Sequence, residues 1–336
     1  MYRKGICDMH MRDLGNTGLK ASAVSMGTLS IGGDEVWGNS DEAESIRTLD
    51  KAAELGITFF DTAAFYGYGR SETILGKALK GKREKYIVST KCGLDWDSGE
   101  GSFFFERDGH VITKNLSPKG VRRSVENSLR RLGMDYVDFC FTHWQAEEPC
   151  MVPIADTMGE LCRLKEEGKI RHIGASNVTL EQVCEYRKYG ELDAIQEHMS
   201  MVYLDSFDEV NDFCVQNGIM YHAYSVFERG LLTGAYTMES VVRPGDARNE
   251  WCEWYRPDKR QKVLTMLDEW KPLLEKYQCS QAALTVAWTL QQAPNIIVDA
   301  GARRVSTIIE NARGGEITIE PEDLQKMNTA VRALQR

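Results

Sequence analysis

Residues 117–144 read SPKGVRRSVENSLRRLGMDYVDFCFTHW, a complete helix-to-strand unit with its own punctuation. Ser117 followed by Pro118 is a helix start, because the hydroxyl can accept from a free backbone N–H and proline fits the first turn, where an N–H would have no partner anyway. Val121, Val125, Leu129 and Leu132 recur at the spacing of one helical face, and Gly133 supplies the left-handed residue that ends it. The β-branched and aromatic run at 136–142 then reads as a buried strand, delivering His143 and Trp144 at its end.

The alternation continues in both directions. Upstream, strands are expected at 23–28, 57–61 and 86–91, with a helix after the first in which Ile46, Leu49 and Ala53 share a face and Gly56 is the stop. Downstream, Ile154, Met158, Leu161 and Leu164 mark a helix stopped by Gly168, and runs at 170–176, 194–196, 219–224 and 296–300 complete eight strands. Eight βα repeats in 336 residues, without a Pro/Gly/Ser linker or a shift in composition, predict an α/β fold of the closed (β/α)8 TIM barrel type in one domain. Residues 1–10 are expected to be a short extension and 11–336 the barrel. The longest irregular stretches, 95–116 and 237–257, are the candidate loops for substrate and cofactor.

Bulk properties narrow the function. A hydrophobic content of 42% with 27% charged residues is that of an ordinary soluble chain, with no apolar run of the roughly 18 residues a membrane span requires and no apolar core of a secretory signal near the start. The expectation is a cytoplasmic protein without a membrane partner. A formal net charge of -9 argues against nucleic acid. The nine cysteines are scattered and never form C-x-x-C, so they read as reduced thiols, and no His/Cys/Asp cluster has metal-ligand spacing.

In a (β/α)8 enzyme the reacting groups come from the C-terminal ends of different strands, where the βα loops converge. Those ends carry Asp61, Lys91, His143, Ser176 with Asn177, Gln196, Tyr224 and Gly301, and Tyr66 follows Asp61 by five positions. An Asp and a Lys on neighbouring strands could be no more than a buried ion pair, and a single His is more often structural than catalytic. Four groups capable of proton transfer or charge stabilisation on adjacent strand ends point instead to a reaction centre.

The segments D-T-A-A-F-Y-G-Y-G-R-S-E, V-S-T-K-C-G, F-T-H-W, G-K-I-R-H-I-G-A-S-N and A-Y-S-V-F-E-R-G-L-L-T-G, with G-A-R-R and E-N near the end, resemble the aldo-keto reductases, and among them the bacterial inositol-utilisation and general-stress types. The resemblance runs from about Arg12 to the C-terminus. It implies an NADP(H)-dependent oxidoreductase, with NAD(H) as the alternative, that reduces a carbonyl or oxidises an alcohol. Tyr66 would be the general acid, Lys91 and Asp61 its supporting pair, and His143 a donor to the carbonyl oxygen. A neighbouring ammonium is expected to draw the phenol toward working range.

For the cofactor the resemblance implies Ser176, Asn177 and Gln196 against the nicotinamide amide and Tyr224 under the ring. Ser225, Phe227, Arg229, Gly230 and Leu231, with Glu228 between them, would wrap the pyrophosphate. Gly301, Arg303, Arg304, Thr307, Glu310 and Asn311 would meet the adenosine end, in place of a Rossmann glycine motif. An aromatic-walled mouth is expected from Trp37, Phe65, Trp144 and Phe227, joined from the late loop by Trp251 or Trp254, and suits a sugar or an aromatic carbonyl compound. A second reading is a nicotinamide-binding regulatory or redox-sensing subunit with little turnover. The sequence does not specify an oligomeric state.

The chain departs from the family pattern in four places. Many relatives have A-Y-S-P-L where Tyr224-Ser225-Val226-Phe227 stands, and I-P-G-A where Asp299-Ala300-Gly301-Ala302 stands. Thr307 takes the place of an arginine that contacts the 2′-phosphate in some relatives, leaving Arg303 and Arg304 to meet it. After Gln196 a Pro-Tyr-Ser turn is replaced by E-H-M-S-M-V-Y, which is expected to place His198, Met199 and Met201 near the cofactor wall.

Overall fold

The computed structural model describes residues 9–33, 38–242 and 252–335. The helix read from its caps spans Pro118–Leu132, with the Ser117 hydroxyl accepting from the Gly120 N–H and Gly133 left-handed at φ 64°. Its apolar stripe, Val121, Val125, Leu129 and Leu132, is buried.

A two-stranded hairpin of β1 (Met11–Asp13) and β2 (Lys20–Ser22) comes first. The barrel opens with β3 (Val24–Gly27), β4 (Phe59–Asp61) and β5 (Ile87–Cys92). An outlying antiparallel sheet of β6 (Leu94–Asp95), β7 (Ser102–Arg107) and β8 (His110–Lys114) interrupts it. The barrel resumes with β9 (Val137–Thr142), β10 (Ile170–Ser176), β11 (Ala194–His198), β12 (Met220–Tyr224) and β13 (Ile296–Gly301). These eight parallel strands close in the order β3-β4-β5-β9-β10-β11-β12-β13, with Val298 of β13 paired to Val24 of β3 at the seam.

Side chains alternate across a strand, so residues two apart share a face. Phe59, Ile87, Phe139, Phe141, Ala194, Met220 and Ile297 form the apolar floor of the barrel, and Leu14 and Ala21 of the hairpin region plug it from below. Two residues further along the same strands come Asp61, Ser89, Gln196, His222 and Asp299, and Ser25 lies level with Asp299 on β3. Strand parity thus stacks a polar layer on an apolar one, just beneath the mouth.

Two expectations change. Residues 95–116 are not irregular, because most of them form the β6-β8-β7 sheet, turned at Asp108 and Gly109 with φ 51° and 75°. The late stretch contains a short 3-10 turn, Glu253–Tyr255, while residues 243–251 lie outside the described part. Among the described residues no helix is long and apolar enough to cross a membrane, and the cysteines are free.

Candidate active site

Lys91 Nζ lies 2.6 Å from Asp61 Oδ2 and donates to the Thr62 carbonyl oxygen at 2.9 Å, with both side chains buried. Asp61 Oδ1 accepts from Ser89 Oγ at 2.5 Å and Gln196 Nε2 at 3.1 Å. Burial by itself would lower the Lys91 ammonium, but Asp61, Tyr66 and Asp299 raise it above the ordinary lysine range, so it stays charged. Such a pair contributes little net stability over an apolar replacement, which leaves its value in what it does to neighbours.

Tyr66 is that neighbour: the centre of its ring is 4.7 Å from Lys91 Nζ, and His143 meets the ring edge-on at 5.9 Å between centres. Burial pushes the phenol up to about 12, outweighing the downward pull of Lys91, so at neutral pH Tyr66 holds its proton. The expected effect of the ammonium is present in sign, though burial sets the net direction. Burial and the Lys91 charge hold the His143 imidazole well below its ordinary value, leaving a neutral ring that can still donate one N–H. The Tyr66 loop is seated by close backbone packing. A Cβ on Gly32 would lie 2.6 Å from the Tyr66 carbonyl carbon, and Gly67, at φ 59°, would put one 2.4 Å from the Gly32 oxygen.

Beneath this group lies a hydrogen-bonded chain that the strand-end reading did not include. Gln196 Nε2, already donating to Asp61, is also 2.8 Å from His222 Nδ1, and His222 Nε2 is 2.7 Å from Ser25 Oγ, which in turn donates to Asp299 Oδ1 at 3.1 Å. The chemistry fixes the polarity: an amide NH2 facing a carboxylate must donate, so His222 Nδ1 accepts and Nε2 carries the hydrogen. The Gln196 oxygen is then left as the acceptor that its amide still offers to a ligand. Burial takes His222 down to about 4, and burial with the nearby Asp61 charge raises the Asp299 carboxyl well above its usual range. The signal for these residues was parity, since Ser25, His222 and Asp299 each continue an inward-facing row.

The strand ends expected to meet a nicotinamide are brought together. Ser176 Oγ donates to the Gln196 carbonyl at 2.6 Å, Asn177 Nδ2 to the His143 carbonyl at 2.8 Å, and Tyr224 Oη to Asn177 Oδ1 at 2.6 Å. Beyond β12 the backbone turns sharply: Ser225 has φ 57°, Phe227 is right-handed, and Glu228, Arg229 and Gly230 follow at φ 45°, 52° and 104°. A right-handed residue followed by left-handed ones is a backbone pattern that can cup an anion such as a pyrophosphate, and here the Glu228 and Gly230 N–H groups fix the turn by donating to the Ser225 and Phe227 carbonyls at 2.9 Å. Leu231 is buried behind it. At the end of β13 the Gly301 carbonyl accepts from Asn311 at 3.1 Å, and Arg304 with exposed Thr307 flanks the start of the helix Val305–Gly314, next to Arg303, with Glu310 on its second turn. Here the structure adds Glu44, whose carboxylate accepts from the Val305 N–H at 3.4 Å and from Arg47. The residues expected to meet a dinucleotide thus offer amide, aromatic and N–H groups at one rim, and among the described residues no cluster of His, Cys, Asp and Glu could hold a metal.

On the side expected to meet substrate, Phe65 and Trp144 fall in one aromatic cluster with Tyr68, Trp96, Phe104 and Phe105, the last two supplied by the outlying sheet. Phe65 packs on Phe105 at 5.6 Å, Phe104 on Trp144 at 5.2 Å, and Lys114 Nζ lies 4.3 Å over Phe104. Phe227 packs against the main core instead, Trp254 is buried in that core, and Trp37 and Trp251 lie outside the described residues. Phe104 and Phe105 were missed because their stretch read as irregular.

A sequence profile described as the aldo/keto reductase family matches residues 23–332. An NADH-specific methylglyoxal reductase of Escherichia coli (strain K12) is 41% identical over 325 residues, covering 96% of this chain and 98% of that protein. The aldo-keto reductase YhdN of Bacillus subtilis (strain 168) is 33% identical, over 96% and 93% of the two chains. Among solved structures, a glycerol dehydrogenase from Gluconobacter oxydans superimposes with a TM-score of 0.87 at 30% identity, over 98% of each chain. With the barrel, its polar layer and these relatives in agreement, the chain belongs to the aldo/keto reductase family of oxidoreductases acting on carbonyl and alcohol groups.

Proposed function

We propose that the protein interconverts a small carbonyl compound and its alcohol, with Tyr66 as proton donor and acceptor, Lys91 and Asp61 as its supporting pair, and His143 as a neutral donor to the substrate oxygen. The observation that carries this is the buried Lys91–Asp61 pair, 2.6 Å apart, directly beside the Tyr66 ring. A bound nicotinamide supplies the hydride for reduction and accepts it for oxidation. As negative charge grows on the carbonyl oxygen, Tyr66 passes its proton to that oxygen and the phenolate left behind is stabilised by Lys91. Asp61, held by Ser89 and Gln196, keeps the ammonium charged and in place. The protonated resting state of Tyr66 suits reduction, since the group must arrive as an acid.

Arg303 and Arg304 favoured NADP(H). Against that stand Glu44, a carboxylate on the first free N–H of the helix where a 2′-phosphate would gain most, and the NADH specificity in the name of the Escherichia coli relative. We therefore read the chain as using NAD(H), with NADP(H) bound more weakly. The Phe65, Phe104, Phe105 and Trp144 wall, with relatives named for methylglyoxal and glycerol, supports a short-chain aldehyde, ketone or polyol as substrate. The test is to titrate NADH and NADPH by fluorescence and then to assay short 2-oxoaldehydes, sugars, polyols and aromatic ketones at 340 nm. Tight dinucleotide binding without turnover of any of them would replace this reading with that of a nicotinamide-binding regulatory subunit.

A further inference from the structure

The stretch E-H-M-S-M-V-Y after Gln196 has a partner in the loop that follows the neighbouring strand β12. Glu228, in the left-handed part of the loop after β12, turns its side chain inward until it is 2% exposed. There its Oε1 is 2.6 Å from His198 Nε2 and accepts from Ser200 Oγ at 2.6 Å, while Oε2 lies 3.5 Å from Cys252 Sγ. The Tyr255 hydroxyl is 3.1 Å from both the Glu228 and Arg229 carbonyls. Burial would raise the Glu228 carboxyl, but His198 and Ser200 bring it below its ordinary value, so it is an anion under a loop shaped to take another anion. The His198 ring is also stacked between Tyr203, at 4.1 Å and 11°, and Tyr224, at 5.6 Å and 19°. One imidazole therefore touches both the aromatic platform of β12 and the carboxylate beneath the loop.

We propose that His198 is a positioning residue for the dinucleotide: by donating to the Glu228 carboxylate beneath residues 225–231, it anchors that loop in the backbone arrangement that takes the anion. The proposal rests on reading that loop as the pyrophosphate cradle. Two successive non-glycine residues with left-handed backbone, Glu228 and Arg229, are disfavoured unless the surroundings dictate them. The His198–Glu228–Ser200 contacts and the Tyr255 hydroxyl are what dictate them. Without His198 the loop would carry a buried, poorly compensated negative charge facing the phosphates, and its geometry would relax.

The experiment compares NADH and NADPH binding, by quenching of intrinsic fluorescence, in wild type, His198→Leu, His198→Gln, Glu228→Gln and the double variant His198→Leu/Glu228→Gln, with thermal midpoints measured alongside. His198→Leu should weaken both dinucleotides roughly 10- to 100-fold, the effect of a loop relaxed out of its binding arrangement and less than the full cost of a bare buried charge. His198→Gln, which keeps a donor, should stay within a few-fold of wild type. The double variant should recover most of the lost affinity, a recovery that a packing role for His198 would not produce. Equal binding by His198→Leu and wild type, or a double variant as weak as His198→Leu, overturns the proposal alone. A wild type that binds neither dinucleotide overturns the cradle reading and the proposal together.

Discussion

Replacing Lys91 by methionine removes the one charge placed to serve both Asp61 and Tyr66, and the two losses can be measured separately. Lys91 is 3% exposed, so Asp61 would be left as a buried carboxylate without a cation, a change that typically costs about 3 to 5 kcal/mol. A unit charge 4.7 Å from the centre of the Tyr66 ring is worth about 3.5 kcal/mol at an effective dielectric of ~20, a factor of a few hundred in rate if the phenolate develops fully. Urea unfolding reads the first quantity and carbonyl reduction at saturating cofactor the second. The pH dependence has a defined sign. In wild type the Lys91 value is raised, so its contribution is complete below the ordinary lysine range and is lost only at strongly alkaline pH. In Lys91→Met the penalty is greatest at neutral pH and shrinks on acidification, as a proton replaces the missing cation on Asp61. Lys91→Met/Asp61→Asn should recover most of the stability and none of the rate. A Lys91→Met variant within about 1 kcal/mol of wild type in urea unfolding, or with near-normal turnover, would refute the reasoning.

Tyr66→Phe should reduce carbonyl reduction by roughly 10² to 10⁴ while leaving dinucleotide affinity almost unchanged, since only the hydroxyl is deleted; steady-state kinetics and a titration check this together. His222 is neutral in the fold, at about 4 against roughly 6.5 when unfolded, so about 3 kcal/mol of stability present above pH ~6.5 should drain away as pH falls toward 4. His222→Gln should flatten that limb of a pH-resolved unfolding series. Glu44→Gln should improve NADPH binding relative to NADH by roughly three- to tenfold by removing a carboxylate from a helix N-terminus, measured by paired titrations. Gly32→Ala adds a methyl 2.6 Å from the Tyr66 carbonyl carbon, so it should lower kcat by displacing Tyr66 although it contributes no functional group, and a structure of the variant would show the shift.

The sequence announced elements wherever local chemistry was unambiguous. Ser117, Pro118 and Gly133 bound their helix at the expected residues, and β10 spans Ile170–Ser176 as read. Asp61, Lys91, His143, Ser176, Asn177, Gln196 and Tyr224 were legible because the topology assigns chemistry to strand ends. The hairpin of β1 and β2 was not, since Met-Arg-Asp and Lys-Ala-Ser have no apolar alternation and their pairing depends on the barrel floor they cover. The outlying sheet did carry a signal, Asp108-Gly109 flanked by Phe103, Phe104, Phe105 and Val111, Ile112, which is a hairpin turn between β-prone runs. Ser25, His222 and Asp299 were hidden for another reason: parity puts each on an inward-facing row, but only three-dimensional closure joins them into one hydrogen-bonded chain. The role of His198 needed Glu228, 30 residues away, to become visible.

That closure has a consequence for how the molecule folds. Ser25 meets His222 across 197 residues and Asp299 across 274, and Gln196 meets Asp61 across 135. The first four barrel strands hold Asp61 and Lys91 without Gln196, and the last four hold His222 and Asp299 without Ser25. Either half, formed alone, would have to desolvate polar groups whose partners lie in the other, at about 1 to 3 kcal/mol for each group left unmatched. The polar layer therefore penalises half-barrels as resting points, makes the zipping of β13 onto β3 a concerted and late event, and ties the folding rate to contacts of very high sequence separation.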